Sequence, residues 1–340
     1  MTPYGSRVLY MVSDAVDEML ITARSMKKMY GPHLALDDVS LDIPHGAVGI
    51  LGPNGAGKST FFKCLLGLIK TTSGSGKVLG HDIRTEGELI RSKIGYMPEY
   101  DSLDPGLTAI DQVRYSGELL GMNPDVATQR AHEALQYVGL KDQRYRKIET
   151  FSTGMKQAAK LACALIHDPE ILICDEPTNG LDQRAREFML QTLRKTVIEG
   201  GRSVLMSSHV MDDVETVCDS IVMIHKGKIV VHRSIDDMVK QVEKEIEISV
   251  WGGASQMESE LSSRGLSVRR MGRNMRVTKV DEDTYTEILS SAAKAGVQVR
   301  KMTEYEPDLE DIFLLIMDKL GEEVRETGEL MTSDHTGEGL

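Results

Sequence analysis

A glycine-rich segment has the composition and spacing of a phosphate-binding loop. It comprises Gly52, Pro53, Asn54, Gly55, Ala56, Gly57, Lys58 and Ser59, with Thr60 following. Glycines let the backbone wind around phosphates so that consecutive N–H groups point inward, and a following helix adds the positive end of its dipole. We expect Lys58 to reach the β- and γ-phosphates of a nucleotide and the Ser59 hydroxyl to be a ligand of Mg²⁺. A glycine-rich turn that binds no nucleotide is the alternative.

Two carboxylates end an apolar run farther along the chain. Residues 171–174 have the pattern of a buried strand, and Asp175 and Glu176 follow, before Pro177. Such a strand carries its last residues to the sheet edge where a phosphate loop also lies. We predict that Asp175 holds the Mg²⁺ shell and that Glu176 orients and deprotonates the attacking water, which contributes roughly 10²–10⁴-fold. A solvated turn also suits paired acids, but the phosphate loop favours the catalytic interpretation.

The elements that position these residues follow a regular order. Residues 47–51 are β-like before the loop, and residues 60–69 have the pattern of a helix after it. A second β-like run, 203–206, precedes Ser207, Ser208 and His209, and a helix is expected over residues 156–166. Strands and helices alternate from residue 19 to about 233, which predicts an α/β layer.

A second, smaller domain is predicted after residue 235. Ile246, Ile248 and Val250 alternate with polar residues as in a half-buried strand. A hairpin around residues 272–274, a helix over 281–295 closed by Gly296, a last strand and a helix from residue 307 follow. We therefore predict an N-terminal extension (1–19), an α/β domain with a helical insert (20–235), a small α+β domain (236–320) and a disordered tail (321–340).

Composition limits the classes of function. The net charge is −12, so nucleic-acid binding is not expected. The four cysteines are widely separated, which is typical of reduced residues in a cytosolic protein. The first twenty residues lack an apolar signal core, and the longest apolar runs are far shorter than the roughly 20 residues that span a bilayer. Any role at a membrane is expected to be peripheral and cytoplasmic.

These motifs, in this order, resemble those of the ABC transporter ATPases. Residues 151–157, FSTGMKQ, resemble the family signature, and residues 179–182 its D-loop. The resemblance implies a P-loop NTPase fold in which Ser152 and Gly154 contact the γ-phosphate held by the opposite subunit. It places Asp182 at the dimer interface and assigns His209 as the switch histidine that senses the γ-phosphate. Tyr30 lies where the family places an aromatic that stacks on adenine, although a core tyrosine is the alternative.

One position departs from the common family pattern. Residues 95–99 end in Glu99, where most members have glutamine. Glutamate is a hard oxygen ligand, so Glu99 is a candidate ligand of Mg²⁺ as well as a contact of the nucleotide. This glutamate, the Gly-Met-Lys-Gln signature and residues 306–313 resemble the ABC-2 type exporters, whose ATPases often carry an accessory domain.

The resemblance implies an ATP- and Mg²⁺-dependent ATPase that powers export through a membrane permease on a separate chain. Two copies would meet head to tail, each with ATP between its own phosphate loop and the partner's signature. The region from residue 100 to about 121, together with the helical insert before Ser152, would face the permease on the cytoplasmic side of the membrane. Two alternatives stay open: a soluble ABC ATPase acting on a non-membrane partner, and an ATP-binding regulator without turnover. Basic hairpin residues at 269–279 suggest either RNA contact or a solvated face.

Overall fold

The computed structural model describes residues 19–241, 245–272, 274–279, 283–305 and 311–312. The chain divides into two compact units, one formed by residues up to 209 with 222–232, the other by residues 210–221 with those from 233 on. The predicted tail, most of the N-terminal extension and the greater part of the helix expected from residue 307 lie outside the described residues. The domain boundaries given above stay a prediction.

A six-stranded sheet carries the predicted catalytic motifs. Its strands are β3 (Ala47–Leu51), β6 (Ile94–Met97), β7 (Ile171–Asp175), β8 (Ser203–Ser208), β9 (Ser220–His225) and β10 (Lys228–Ser234), in the order β10-β9-β3-β8-β7-β6. The pairs β3·β8, β8·β7 and β7·β6 are parallel. Every residue of β3, β7 and β8 is buried, as expected for strands covered on both faces. Because these strands are parallel, the residues that follow them meet at one edge.

A four-stranded sheet forms a second layer of the first unit. Its strands are β1 (Ile21–Tyr30), β2 (His33–Ile43), β4 (Ser73–Val78) and β5 (His81–Asp82), in the order β2-β1-β4-β5. The pairs β1·β2, β1·β4 and β4·β5 are antiparallel. Gly31, in the left-handed conformation at φ 56°, allows the turn between β1 and β2. This hairpin places Tyr30 at its exposed tip.

Helices follow or connect the strands. They are α1 (Lys58–Leu65), α2 (Gly87–Lys93), α3 (Ala109–Leu119), α4 (Pro124–Tyr137), α5 (Thr153–Leu165), α6 (Gln183–Ile198) and α7 (Met211–Val217). The predicted helical insert is confirmed by α3 and α4, which pack together and on α5. The helix expected over residues 60–69 begins earlier, at Lys58, and ends earlier, at Leu65. It ends there because Gly67, at φ 64°, turns the chain and donates its N–H to the Cys64 carbonyl.

The second unit contains an α+β arrangement. Besides α7, its elements are α8 (Ile235–Gln241), β11 (Glu245–Trp251), α9 (Ala254–Ser263), β12 (Val268–Met271), β13 (Asn274–Thr278), α10 (Thr284–Ala295) and β14 (Gln298–Tyr305). The strands form an antiparallel sheet in the order β12-β13-β11-β14. Ile246, Ile248 and Val250 are buried, as their alternation predicts, and Gly296 ends α10 in the left-handed conformation.

Two basic residues of the β12–β13 hairpin have acidic partners in their own unit. Arg270 pairs with Glu258 at 3.4 Å and Arg276 pairs with Asp311 at 3.0 Å. Such pairing satisfies the cations internally, which favours the interpretation as a solvated face over RNA contact.

Candidate active site

Most residues predicted to bind nucleotide line one cleft. The cleft has a volume of about 410 Å³ and lies at the carboxyl end of β3. Its lining residues are Tyr30, His33, Ala35, Pro53, Asn54, Gly55, Ala56, Gly57, Lys58, Ser59, Thr60, Glu99 and Glu176. Residues distant in sequence thus converge on the loop because the parallel strands end at a common edge.

Two glycines allow the loop to pack closely against its neighbours. A Cβ atom on Gly52 would lie 2.2 Å from the Ile224 carbonyl oxygen. A Cβ atom on Gly57 would lie 2.6 Å from the Ala35 carbonyl oxygen, and its φ of 111° is also unfavourable for any residue with a side chain. The glycines therefore have a steric role in placing the loop, whatever it binds.

Lys58, Glu176 and His209 form a continuous polar chain, of which Lys58 and Glu176 line the cleft and His209 does not. Lys58 Nζ donates a hydrogen bond to the Gly52 carbonyl at 2.7 Å and lies 3.1 Å from Glu176 Oε1. The other carboxylate oxygen, Oε2, is 2.9 Å from His209 Nδ1. The Glu176 backbone adopts φ 50°, a conformation that costs a non-glycine residue about 1–3 kcal/mol and is concentrated at functional sites. The arrangement can hold anionic phosphate beside a carboxylate base.

Ser207 contacts the Asp175 carboxylate and the Glu176 backbone, and no role was assigned to it from the sequence. Its buried hydroxyl donates to Asp175 Oδ1 at 2.6 Å and accepts from the Glu176 backbone N–H at 2.9 Å. The parallel pairing of β7 with β8 sets Ser207 directly beside Asp175. Its position two residues before His209, at the end of a predicted strand, was the available sequence signal.

A second cavity shares Ser59 and Glu99 with the nucleotide cleft and has a volume of about 330 Å³. Its lining residues are Ser59, Lys63, Tyr96, Glu99, Tyr100, Asp175 and Asn179. The donor set suits Mg²⁺, which prefers oxygen ligands and is usually held by one or two carboxylates together with phosphate oxygens. Among the described residues, no group of three or more acidic, histidine or cysteine side chains could hold a metal alone. The residues therefore fit Mg²⁺ bound together with a nucleotide.

Burial shifts the pKa values of Tyr96, which lines this cavity, and of Cys174, which precedes Asp175 in β7. It raises the pKa of the Tyr96 hydroxyl, and the Asp175 carboxylate adds to the effect. Burial also raises the pKa of the Cys174 thiol, again with a contribution from Asp175. Both groups remain neutral near pH 7, so the charge of this cavity comes from its carboxylates and lysine.

Ser152, Gly154 and Asp182 are not brought to the cleft of their own chain. Ser152 caps α5 by accepting from the Met155 N–H, and Asp182 caps α6 by accepting from the Ala185 N–H. A Cβ on Gly154 would lie 2.9 Å from the Ala185 Cβ, so the signature-like segment packs against the start of α6. None of the three lines the cavities that contain Lys58 or Asp175.

Tyr30 lies at the rim of the cleft. The residue is 46% exposed, so it is not the core tyrosine considered as the alternative. The Lys28 ammonium lies 4.8 Å from the centre of its ring. The ring can therefore offer an aromatic surface to a ligand held by the phosphate loop.

The fold and the site together define a P-loop ATPase of the α/β class. A family model described as ABC transporter matches residues 36–179. The linearmycin resistance ATP-binding protein LnrL of Bacillus subtilis is 34% identical over 312 residues, which cover 87% of this chain and 97% of that protein. The chain therefore belongs to the ATP-binding subunits of ABC transporters of the ABC-2 exporter type, and it is an ATPase.

Further similarities agree with this assignment. The daunorubicin/doxorubicin resistance ATP-binding protein DrrA of Streptomyces peucetius is 29% identical over 87% of this chain and 92% of its own length. The dimeric post-hydrolysis structure of the ATP-binding cassette MJ0796, bound to ADP and Pi, has a TM-score of 0.59 and 27% identity, and the match covers 63% of this chain and 98% of that one. The predicted family and fold class are confirmed.

None of the helices within the described residues is both long enough and apolar enough to cross a bilayer.

Proposed function

We propose that this chain binds ATP with Mg²⁺ in the cleft and hydrolyses it to power export through a membrane permease on a separate chain. The observation that carries the proposal is the polar chain from Lys58 through Glu176 to His209, set beside a phosphate loop. The cation, the carboxylate and the imidazole stand where phosphate and an attacking water would meet. On this proposal the subunit works at the cytoplasmic face of the membrane.

Each group has a distinct chemical role in the proposed reaction. Lys58 and the N–H groups of the loop bind the phosphates, and Tyr30 stacks on adenine. Glu176 accepts a proton from the attacking water, while His209 holds the carboxylate in place and contacts the γ-phosphate. Ser59, Asp175 and Glu99 would hold Mg²⁺, which supplies charge neutralisation on the phosphates.

The signature-like segment does not line the cleft of its own chain, which supports a head-to-tail dimer. Ser152, Gly154 and Asp182 would complete the site of a second subunit rather than their own. The cassette MJ0796 is dimeric, which supports the dimer but does not bear on its head-to-tail arrangement. Loss of the γ-phosphate after hydrolysis would remove the contacts that join the two subunits, which is the order-and-release behaviour of nucleotide switches.

The names of similar proteins help to distinguish export from the alternative, a soluble ATPase that acts on a non-membrane partner. LnrL and DrrA are named for antibiotic resistance, and a third relative, from Sinorhizobium fredii, for Nod factor export. These names support transport over action on a non-membrane partner. They do not agree on one cargo, so the proposal extends to export and not to a substrate class.

The test is steady-state ATP hydrolysis and light scattering on the parent chain and a Glu176→Gln variant. We expect turnover in the parent, and in the variant an ATP-stabilised dimer with hydrolysis lowered by about 10²–10⁴-fold. Co-purification of the variant with an integral membrane protein encoded beside it would support the permease assignment. Equal hydrolysis by parent and variant would contradict the role of Glu176, and an ATP-insensitive monomer with full turnover would contradict the shared site.

A further inference from the structure

Lys160 is a buried cation that contacts three consecutive carbonyl groups. It lies on α5, is 5% exposed, and its Nζ is 2.7 Å from the Pro98 oxygen. The same nitrogen is 3.1 Å from the Glu99 oxygen and 3.3 Å from the Tyr100 oxygen. An ammonium group has three N–H donors and no acceptor, so these three carbonyls satisfy its full hydrogen-bonding capacity.

Burying the Lys160 ammonium is costly unless the three carbonyl groups stay in place to accept its hydrogen bonds. Burial lowers the pKa of Lys160, while the Asp101 carboxylate acts in the opposite direction. A buried charge is tolerated only where hydrogen bonds compensate for lost hydration, and here the compensation is the backbone of one short segment. One turn earlier on α5, Lys156 pairs with Asp101 at 3.1 Å. Residues 98–101 are thus bound to α5 at two points, through Lys156 and through Lys160.

Residues 98–101, which α5 holds in place, include Glu99. The helix α5 itself begins within the signature-like segment, residues 151–157. Glu99 lines both the nucleotide cleft and the cavity with Ser59 and Asp175. Ser152 caps the same helix that carries Lys160, eight residues or about 12 Å away along its axis. The backbone position of Glu99 is therefore set from α5 and not by β6 alone.

We infer that Lys160 is a positioning residue that holds the Glu99 carboxylate toward the metal and nucleotide site. This inference rests on the proposed function, since it concerns the Mg²⁺-dependent binding of ATP at that site. Lys160 does not touch the cleft, so it acts only through the backbone of residues 98–100. Its removal frees that backbone and leaves Lys58, Ser59 and Asp175 unchanged.

The experiment measures binding of a non-hydrolysable ATP analogue by calorimetry over a range of Mg²⁺ concentrations. Lys160→Met keeps the length of the side chain and removes the ammonium. Lys93→Met is the matched control, because Lys93 pairs with Glu170 at 2.7 Å outside both cavities. We expect the Mg²⁺ concentration for half-maximal enhancement of binding to rise about tenfold in Lys160→Met, as when a supporting contact of a metal ligand is lost. Binding without Mg²⁺ is expected to stay unchanged, as is all binding by the control.

A double-mutant cycle separates positioning from a purely structural role. In a Glu99→Ala background, Lys160→Met is expected to change the Mg²⁺ dependence by less than twofold, because the side-chain ligand that it positions is absent. Thermal unfolding by circular dichroism verifies the folded state, and Lys160→Gln replaces Lys160→Met if the latter does not fold. An unchanged Mg²⁺ dependence in a folded Lys160 variant overturns the inference and leaves the proposed function intact. A parent chain that binds no nucleotide overturns both.

Discussion

Lys58 Nζ lies 3.1 Å from Glu176 Oε1, and both side chains are almost completely buried. The cation expected to bind phosphate is thus paired with the carboxylate expected to activate water. The phosphates of a bound nucleotide would contact the same lysine. Nucleotide binding must therefore weaken or break the ion pair between Lys58 and Glu176. The pair therefore links the stability of the nucleotide-free protein to the chemistry of the site.

The first prediction concerns the stability of that pair. Lys58→Met is expected to lower the free energy of unfolding of the nucleotide-free protein by about 3 kcal/mol, because the buried Glu176 carboxylate loses its lysine partner and keeps the contact with His209. Adding Glu176→Gln is expected to recover part of the loss, since the unpaired charge disappears. Urea unfolding of the parent, both single variants and the double variant measures the coupling. Strictly additive losses would show that the two side chains do not interact in solution.

The second prediction concerns Ser207. Ser207→Ala removes the donor to Asp175 and the acceptor of the Glu176 N–H, so we expect the free energy of unfolding to fall by about 2 kcal/mol and ATP hydrolysis to fall as well. The control is Ser203→Ala at the opposite end of β8, where the hydroxyl accepts from the Gly46 N–H at 3.2 Å. That variant should lose stability while keeping its turnover number. Equal turnover in the two variants would contradict the supporting role of Ser207.

The third prediction concerns Tyr30. Tyr30→Ala is expected to raise the Kd for ATP about tenfold, because stacking of an aromatic ring on a base contributes roughly 1–3 kcal/mol. Tyr30→Phe keeps the ring and should bind ATP like the parent. Inorganic triphosphate has no base, so its affinity should be the same in all three proteins. If Tyr30→Ala weakens triphosphate binding as much as ATP binding, the ring supports the loop instead of the adenine.

The fourth prediction concerns pH and His167. Burial lowers the pKa of this residue, whose Nε2 is 3.2 Å from the Ile94 carbonyl and therefore carries the proton. The buried Nδ1 has no hydrogen-bond partner among the described residues, so protonating it in the folded state is unfavourable. Below about pH 6.5 the unfolded chain takes up a proton on this histidine that the folded chain does not.

Stability is consequently expected to fall as the pH drops from about 6.5 toward the lowered pKa of the folded state. The slope contributed by one histidine reaches at most about 1.4 kcal/mol per pH unit. Urea unfolding between pH 7.5 and 5.5 should show a steeper decline for the parent than for His167→Gln, which cannot titrate. Parallel curves for the two proteins would mean that His167 is not the responsible group.

Local pattern was enough to predict much of the scaffold. The limits of β3 were predicted to the residue, and the strand containing Ile246, Ile248 and Val250 was predicted from its alternation alone. Burial on one or both faces of a strand imposes a periodicity that can be read without tertiary information. The order of the phosphate loop, the signature and the paired carboxylates likewise indicates the family from the sequence alone.

Tertiary structure decided how the distant residues meet. The contact of Lys58 with Glu176, the bridge that Ser207 makes to Asp175, and the hold of Lys160 on residues 98–100 each join segments far apart in the chain. These contacts cannot be predicted from the spacing of residues in the sequence, because they depend on strand order and on the packing of α5. The residue types at this site were therefore determined by the sequence, whereas their geometry arises only where parallel strands end at a common edge.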